Sequence, residues 1–168
     1  MSSESGVIVV VGAGPGGTAM VERLIANAPA GRRLDIHVID PYPPGGGRTW
    51  RLDQSPLMWM NSRATEVTMF TDETVEIAGP IRPGPAIHEW SAELGPDSFP
   101  SRQQQNAYLT WVFSHVVEAA PPHVSVRVHE ATAEGLTETG GRQLVWLANP
   151  TEPDTRRYTG QQSSTLPS

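Results

Sequence analysis

The residues with the clearest chemical signal are three glycines at fixed spacing, Gly12, Gly14 and Gly17. They follow residues 7–11, which are all valine or isoleucine, and such a run is typical of a buried β-strand. Residues 18–28, which come next, have helical character. A glycine turn between a strand and a helix is the context that the dinucleotide-binding fingerprint requires, so this unit predicts binding of a dinucleotide.

Each position in this unit has a separate physical role. Gly12 lets the chain turn sharply out of the strand, Gly14 lets a pyrophosphate approach the backbone, and Gly17 lets the helix pack closely on the strand. Pro15 stands near the helix start, where its missing N–H costs little. Free N–H groups and the positive end of the helix dipole then face the phosphates. With Gly16, these residues form the predicted pyrophosphate site.

A carboxylate follows at the end of the next predicted strand. Residues 34–39 form this strand, and Asp40 ends it at close to the expected distance of about 20 residues from the last glycine. An acid at this position can accept hydrogen bonds from both hydroxyls of an adenosine ribose, and it would repel a 2′-phosphate. The alternative interpretation is a glycine-rich turn in an ordinary α/β domain.

Composition excludes several classes of function. The chain has 168 residues, the length of one domain, with a net charge of −6 and no basic tract, which argues against a nucleic-acid partner. No apolar run approaches the roughly 20 residues that span a bilayer, so we expect a cytoplasmic protein with no membrane partner. Cysteine and lysine are both absent, which excludes disulfides, thiolate nucleophiles, Schiff-base chemistry and a P-loop lysine. The five histidines show no metal-ligand spacing, and no metal site is predicted.

Residues 41–101 are predicted to form a long loop-rich insertion. The segment is punctuated by proline and glycine, and it carries an unusual share of aromatic residues and methionines. Those residues are Trp50, Met58, Trp59, Met60, Met69, Phe70 and Trp90. An insertion of this length is uncommon in a compact domain unless it has a function. Two interpretations are equally open: the segment wraps a cofactor and substrate, or it packs its own apolar residues over the sheet.

A long helix, a strand and a hairpin are predicted after this insertion. Residues 101–119 carry apolar side chains at three- and four-residue spacing, with Ser101 as the N-cap. Residues 124–128 alternate between apolar and polar types as in a strand. The segments on either side of Gly140 and Gly141 are typical of a β-hairpin.

The predicted fold class is α/β. It consists of a Rossmann-like βαβ unit with the loop-rich insertion, the long helix and the β-hairpin, in a single incomplete domain over residues 1–168. Residues 160–168 are expected to be an atypical, disordered tail.

Six segments of the sequence together resemble a known family. They are VIVVVGAGPGG, VIDPYPPGGGRTWR, LMWMNSRATEVTMFTD, GPIRPGPAIHEW, FPSRQQQNAYLTWVF and VSVRVH, and the resemblance covers residues 7–147. GAGPGG alone is shared by many flavoproteins, whereas the six segments in this order are much more specific. The chain resembles the actinobacterial-type FAD/NAD(P)-binding proteins, flavin-dependent oxidoreductases distantly similar to N-hydroxylating monooxygenases.

The resemblance implies that the chain binds FAD. The glycine unit would hold the pyrophosphate and Asp40 the ribose, while Arg48 and Trp50 would lie near the pyrophosphate or the flavin side. Asn61 would lie near the isoalloxazine. Arg102 matches an arginine of the family at the start of the long helix, where a guanidinium could pair with a phosphate as a fork. The alternative for Arg102 is a solvated arginine at a helix start.

The resemblance also implies hydride transfer from NAD(P)H, a possible co-substrate, to the flavin, and then to oxygen or a substrate. No side chain of this chain is predicted as a catalytic acid or base, and no nicotinamide site is visible. Family members are several times longer and carry a second nucleotide-binding unit, so the chain is expected to be a truncated N-terminal portion. Asn106 stands where a glycine is expected in the family.

Truncation predicts a sheet with an unpaired edge, which a second chain could complete. The favoured function is the FAD-binding portion of a flavin-dependent, NAD(P)H-linked oxidoreductase. The alternatives are a non-catalytic adenine-dinucleotide binding module, one half of a two-chain assembly, or an inactive remnant.

Overall fold

A parallel three-stranded sheet forms the centre of the fold. In the computed structural model, which describes residues 5–148 and 156–161, its strands are β1 (Gly6–Val11), β2 (Leu34–Asp40) and β3 (Val124–Glu130). β2 lies in the middle, with β1 and β3 in parallel register on either side. The strands begin at the predicted residue or one residue before it, because valine and isoleucine, in a run or in alternation, mark them clearly.

Helices cover one face of this sheet. They are α1 (Pro15–Ala26), the single-turn α2 (Ile87–Trp90) and α3 (Arg102–Glu118), and Ala64–Glu66 adds a 3-10 turn. Side chains of α1 and α3 pack with Ile36 and Val38 of β2, which are fully buried, and form the main core. None of the helices in the described ranges is long and apolar enough to cross a membrane.

The long helix α3 forms where the sequence pattern predicts it, with the predicted N-cap. Ser101 precedes its first residue, and the Ser101 hydroxyl accepts from the N–H of Gln104 at 3.2 Å. The Gln104 side chain accepts in turn from the N–H of Ser101 at 2.8 Å, which completes a capping box. The apolar residues that are buried are Tyr108, Leu109, Val112, Phe113 and Val116. The predicted helix and its N-cap are therefore confirmed.

A second sheet, which is antiparallel, follows β3. Its strands are β4 (Thr132–Thr139), β5 (Arg142–Ala148) and β6 (Arg156–Gln161), in that order. Gly140 and Gly141 join β4 to β5 with φ angles of 58° and 71°, as a tight two-residue turn requires, so the predicted hairpin is confirmed. Val145 and Leu147 pack with Ile39 on the face of the parallel sheet opposite the helices.

The sequence pattern does not predict β6. This strand pairs with β5 and also lies beside β1. Its sequence, RRYTGQ, has Tyr158 as its one apolar residue and therefore lacks the alternation that marks a strand. Gly160 and Gln161, the first residues of the expected tail, belong to β6. The rest of that tail, residues 162–168, lies outside the described residues.

The loop-rich segment of residues 41–101 contains both buried and exposed apolar side chains. Val67 and Ile87 are buried in the main core with side chains of α3. Leu57 and Trp59 are 82% and 63% exposed. The segment therefore packs some of its apolar side chains in the core and keeps others at the surface.

Candidate dinucleotide-binding site

Three loops meet at the carboxyl edge of the parallel sheet. The glycine turn follows β1, Asp40 ends β2, and residues 45–47 fold back onto the glycine turn. The N–H of Gly45 donates to the carbonyl of Ala13 at 2.7 Å. Open α/β sheets bind ligands at this edge, because the strands end there together. The edge brings together the residues whose spacing predicted a nucleotide site.

Two glycines of the turn are required by the fold itself. Gly12 has a φ of +98°, which other residues rarely adopt, and its N–H donates to the carbonyl of Ile39 at 2.8 Å. A Cβ on Gly17 would overlap the carbonyl oxygen of Gly12, so only glycine lets α1 begin this close to β1. These geometries agree with the turn and packing roles expected for the two positions.

The other two glycines of the turn are not required by contacts among the described residues. A Cβ on Gly14 would meet Gly47 and Gly46 at 3.9 Å and 4.0 Å, which are ordinary van der Waals distances. A Cβ on Gly16 would point into open space, and neither Gly14 nor Gly16 has a positive φ. Both residues stand at the start of α1, so their missing side chains leave the helix end open.

The start of α1 offers the donors that an anion needs. Gly14 is the N-cap and supplies no side-chain cap, and Pro15 is the first helical residue. The first N–H groups of a helix have no partner within the helix, and the helix dipole makes this end positive. The first turn contains no acidic residue. The hydroxyl of Thr18 is fully buried and has no hydrogen-bond partner among the described residues, so the arrangement fits a phosphate group.

Asp40 is tied to the backbone at this edge. Its Oδ2 accepts from the N–H of Ala13 at 2.7 Å, and its Oδ1 accepts from the N–H of Tyr42 at 2.8 Å. Each carboxylate oxygen can accept a further hydrogen bond, so these contacts leave acceptor capacity for a ligand. The structure thus adds a role that the sequence did not predict, because Asp40 fastens β2 to the glycine turn.

Residues 45–47 support the glycine turn from the other side. Gly45 and Gly47 have φ angles of 94° and 55°. A Cβ on Gly47 would lie 2.9 Å from the Cα of Gly14, and a Cβ on Gly45 would overlap the backbone of Leu109 in α3. Residues 45–47, the glycine loop, are therefore enclosed between the glycine turn and α3. Three consecutive glycines permit such close packing, but they do not identify the segments that pack against the loop.

The first turns of α3 bring Arg102 and Trp50 together. The Cζ of Arg102 lies 5.3 Å from the centre of a Trp50 ring, which is within cation–π range. One turn later, Asn106 donates from Nδ2 to the carbonyl of Trp50 at 2.5 Å. Arg102 is partly buried.

Arg48 and Asn61 are less constrained than Trp50 and Arg102. Both side chains are exposed, and within residues 5–148 neither makes a hydrogen bond or an ion pair. Arg48 directly follows the glycine loop, and Asn61 follows Met60, whose N–H donates to the carbonyl of Pro100 at 2.8 Å. The described contacts therefore do not fix either side chain in the site.

The face of the parallel sheet opposite the helices carries a histidine pair. The rings of His37 and His129 stack with their centres 5.1 Å apart, and the Nδ1 of His37 lies 2.8 Å from the Nε2 of His129. Burial is the main cause that lowers the pKa of both imidazoles, and the positive charge of Arg127 adds to it. The described ranges contain no group of three or more side chains that could hold a metal ion.

Comparison with known proteins finds one matching family model and several curated relatives. A family model described as FAD-NAD(P)-binding matches residues 9–157. Nitrosuccinic acid synthase npaA of Aspergillus oryzae is 45% identical over an alignment of 150 positions that covers 84% of this chain and 23% of that protein. An L-aspartate N-monooxygenase of Streptomyces cremeus is 37% identical over an alignment of 182 positions that covers 90% of this chain and 27% of that protein. The chain therefore spans about a quarter of the length of these curated relatives.

Solved structures agree with the fold. The ornithine N-hydroxylase KtzI of Kutzneria sp. 744 matches with a TM-score of 0.55 and 18% identity, over 93% of this chain and 35% of that one. The bacillithiol disulfide reductase Bdr (YpdA) of Bacillus cereus matches with a TM-score of 0.52 and 16% identity, over 93% of this chain and 37% of that one. Together with the family model, these matches confirm the Rossmann-like fold class and the family resemblance. The chain belongs to the FAD-NAD(P)-binding family.

Proposed function

We propose that this chain is the FAD-binding portion of a flavin-dependent, NAD(P)H-linked oxidoreductase, with the FAD pyrophosphate at the start of α1. The proposed position of the site rests on one observation. Gly14 and Gly16 leave the helix start open, although contacts among the described residues do not require glycine at either position. Room for a ligand at a positively polarised helix end explains both glycines.

Each residue at the edge has a role in this proposal. The first N–H groups of α1 bind the pyrophosphate, while Gly12 and Gly17 shape the turn that presents them. Pro15 sets the first helical residue without removing a needed donor. Asp40 accepts from the ribose hydroxyls with the lone pairs that the backbone leaves unused. Its negative charge disfavours a 2′-phosphate at that position.

The flavin side of the site involves the residues around the glycine loop. Arg102 and Trp50 stack on each other beside this loop, which contacts the glycine turn. A planar guanidinium held against an indole can still present its N–H groups to a phosphate. Arg48 and Asn61 are exposed on neighbouring segments, and we propose that they turn toward the bound cofactor.

When bound, FAD supplies the capacity to accept a hydride from NAD(P)H. The residues of this chain contribute placement and electrostatics, and none of them is proposed as an acid or base. Two curated relatives are named as forming nitrosuccinic acid or nitrosuccinate, one of them from L-aspartate. We therefore propose in addition that a longer protein containing this FAD-binding portion oxygenates the amino nitrogen of a small acidic amino acid.

The test of the site is retention of FAD by the purified chain after excess FAD is removed. We expect a shifted flavin absorption spectrum for the wild type. Gly16→Ala adds one methyl group to the open space at the start of α1. We expect this variant to raise the Kd for FAD about tenfold, a change of ~1.4 kcal/mol, with unchanged thermal unfolding.

Gly95→Ala is the matched control for this experiment. Gly95 lies in an exposed loop before α3, has no positive φ, and would also direct a Cβ into open space. We expect wild-type affinity for FAD in this variant. Equal affinity of the Gly16 and Gly95 variants would contradict the proposed site. Loss of FAD from the wild type would contradict FAD binding by this chain.

A second proposal concerns the apolar surface near the carboxyl end of β1. Although β6 lies beside this strand, Val11 at its end is 63% exposed. Leu57 and Trp59 expose apolar surface as well. Because the curated relatives are about four times as long as the matched part, we infer that a further polypeptide segment covers these surfaces.

Mixing the chain with the remaining three quarters of the Streptomyces cremeus relative tests this second proposal. We expect the two polypeptides to elute together in size-exclusion chromatography and to oxidise NADPH when L-aspartate is added. Separate elution would contradict the proposed partner segment. Co-elution without aspartate-dependent oxidation of NADPH would contradict the proposed substrate class alone.

A further inference from the structure

Two residues one helical turn apart on α3 hold Trp50 in place. Arg102 stacks on its ring, and Asn106 donates from Nδ2 to its carbonyl at 2.5 Å. The N–H of Trp50 donates to the carbonyl of Gly46 at 3.2 Å, which closes residues 46–50 into a turn. Both the ring and the backbone of Trp50 are therefore fixed to the same helix.

Asn106 also fills the space beside Gly46. A Cβ on Gly46 would overlap the Nδ2 of Asn106, so the loop and the helix meet there with no room for another side chain. The next residue, Gly47, contacts Gly14 at the start of α1. One amide side chain thus connects α3, the turn of residues 46–50 and the candidate phosphate site.

This amide is separate from the apolar face of α3. Asn106 is half-buried, whereas Tyr108, Leu109 and Val112 are the side chains by which this part of the helix joins the main core. The hydrogen bond that Asn106 makes is directed to a loop carbonyl. Removing the amide should therefore alter the position of the loop and leave the packing of the core unchanged.

We propose that Asn106 is a positioning residue for the bound cofactor. It holds residues 45–50 against the start of α1 and thereby sets the fit of the phosphate and flavin half of FAD. The adenosine half, which Asp40 would bind, does not depend on Asn106. This inference rests on the proposed function, since it assigns Asn106 a role in the same site.

Two substitutions test the role of the amide donor. Asn106→Ala removes the side chain beyond Cβ, and Asn106→Asp keeps the shape but presents an acceptor to the carbonyl of Trp50. We expect Asn106→Ala to raise the Kd for FAD about tenfold and Asn106→Asp to raise it at least as much. The Kd for adenosine and the midpoint of thermal unfolding should stay near the wild-type values.

Hydrogen exchange of the cofactor-free protein gives a second readout. We expect faster exchange of the amides of residues 45–50 in both Asn106 variants. Gln103→Ala is the matched control, because Gln103 donates to the carbonyls of Leu52 and Gln54 at 3.0 Å and 2.8 Å, beyond Trp50. This control should loosen residues 52–54 and leave the Kd for FAD unchanged.

The outcomes separate this inference from the proposed function. Wild-type affinity for FAD in both Asn106 variants would overturn the inference alone. An affinity for adenosine that falls in parallel with the affinity for FAD would do the same. A wild-type chain that does not bind FAD would overturn both the inference and the proposed function.

Discussion

At the residue scale, a methyl group has different effects at the neighbouring positions Gly16 and Gly17. At Gly17 the added Cβ overlaps the backbone of Gly12, which cannot move without disturbing β1. We expect Gly17→Ala to lower the free energy of unfolding by roughly 1–3 kcal/mol, the usual cost of overpacking. Urea unfolding measures this loss, with Gly16→Ala as the control of wild-type stability. Equal stability of the two variants would contradict the close approach of α1 to β1.

Asp40 has a structural role that needs no cofactor. Its two oxygens accept from the N–H groups of Ala13 and Tyr42, and an asparagine would turn an NH2 group toward one of these donors. We expect Asp40→Asn to lower the free energy of unfolding by about 1–3 kcal/mol in the absence of any nucleotide. Chemical denaturation of the cofactor-free protein checks this value.

Asp53→Asn is the control for the loss of a carboxylate. Asp53 is exposed and pairs with Arg51 at 2.9 Å, and such surface pairs contribute little to stability. We expect a stability close to that of the wild type. If the Asp40 and Asp53 variants are equally stable, the backbone contacts of Asp40 do not hold β2 to the glycine turn.

The residues of the glycine turn were predictable because their signal is local. Gly12, Gly14 and Gly17 lie between a strand and a helix at a spacing that physical chemistry explains. The contacts of Gly45 and Asn106 were not predictable, because each depends on a residue far away in the sequence. Such contacts arise only when α3 packs beside the start of α1, which no local pattern encodes.

At the scale of elements, α3 depends on the cap at its start. Ser101 accepts from the N–H of Gln104, and alanine cannot replace this acceptor. We expect Ser101→Ala to lower the free energy of unfolding by about 1 kcal/mol. Ser114→Ala, at an exposed position of the same helix, is the control and should change stability little. An equal loss in both variants would show that the cap adds nothing beyond helix propensity.

The elements that the sequence predicts are those with their own periodic pattern. The three parallel strands, α3 and the hairpin all carry apolar residues at the spacing of a strand or a helix. β6 carries one apolar residue and owes its place to pairing with β5. Val67 and Ile87 are likewise buried by contacts with distant helices, so the packing of the insertion has no periodic signal.

At the scale of the whole molecule, the parallel sheet separates two apolar clusters. The larger cluster contains side chains of α1 and α3, and the smaller one surrounds Ile39. His37 and His129 lie on the face of the smaller cluster, where burial lowers the pKa of both below the usual 6.5. The unfolded chain therefore takes up these protons more readily than the folded protein.

The stability of the protein should fall on mild acidification. An imidazole with a lowered pKa in the folded state stabilises the fold above pH 6.5, and this contribution is lost as the pH falls through the folded pKa. We expect the free energy of unfolding to decline between about pH 7 and pH 5, and His129→Gln to reduce this decline. Urea titrations across this range measure it, and parallel profiles for the variant and the wild type would contradict the prediction.

The glycine loop of residues 45–47 limits how segments can be exchanged between relatives. Its backbone rests on Ala13 and Gly14 on one side and on Leu109 of α3 on the other. A chimera that imports the β1–α1 unit from a relative must therefore import this loop and the facing turns of α3 with it. These three segments are distant in the sequence but must be exchanged together. The junctions of a chimera that keeps the fold therefore lie outside all three.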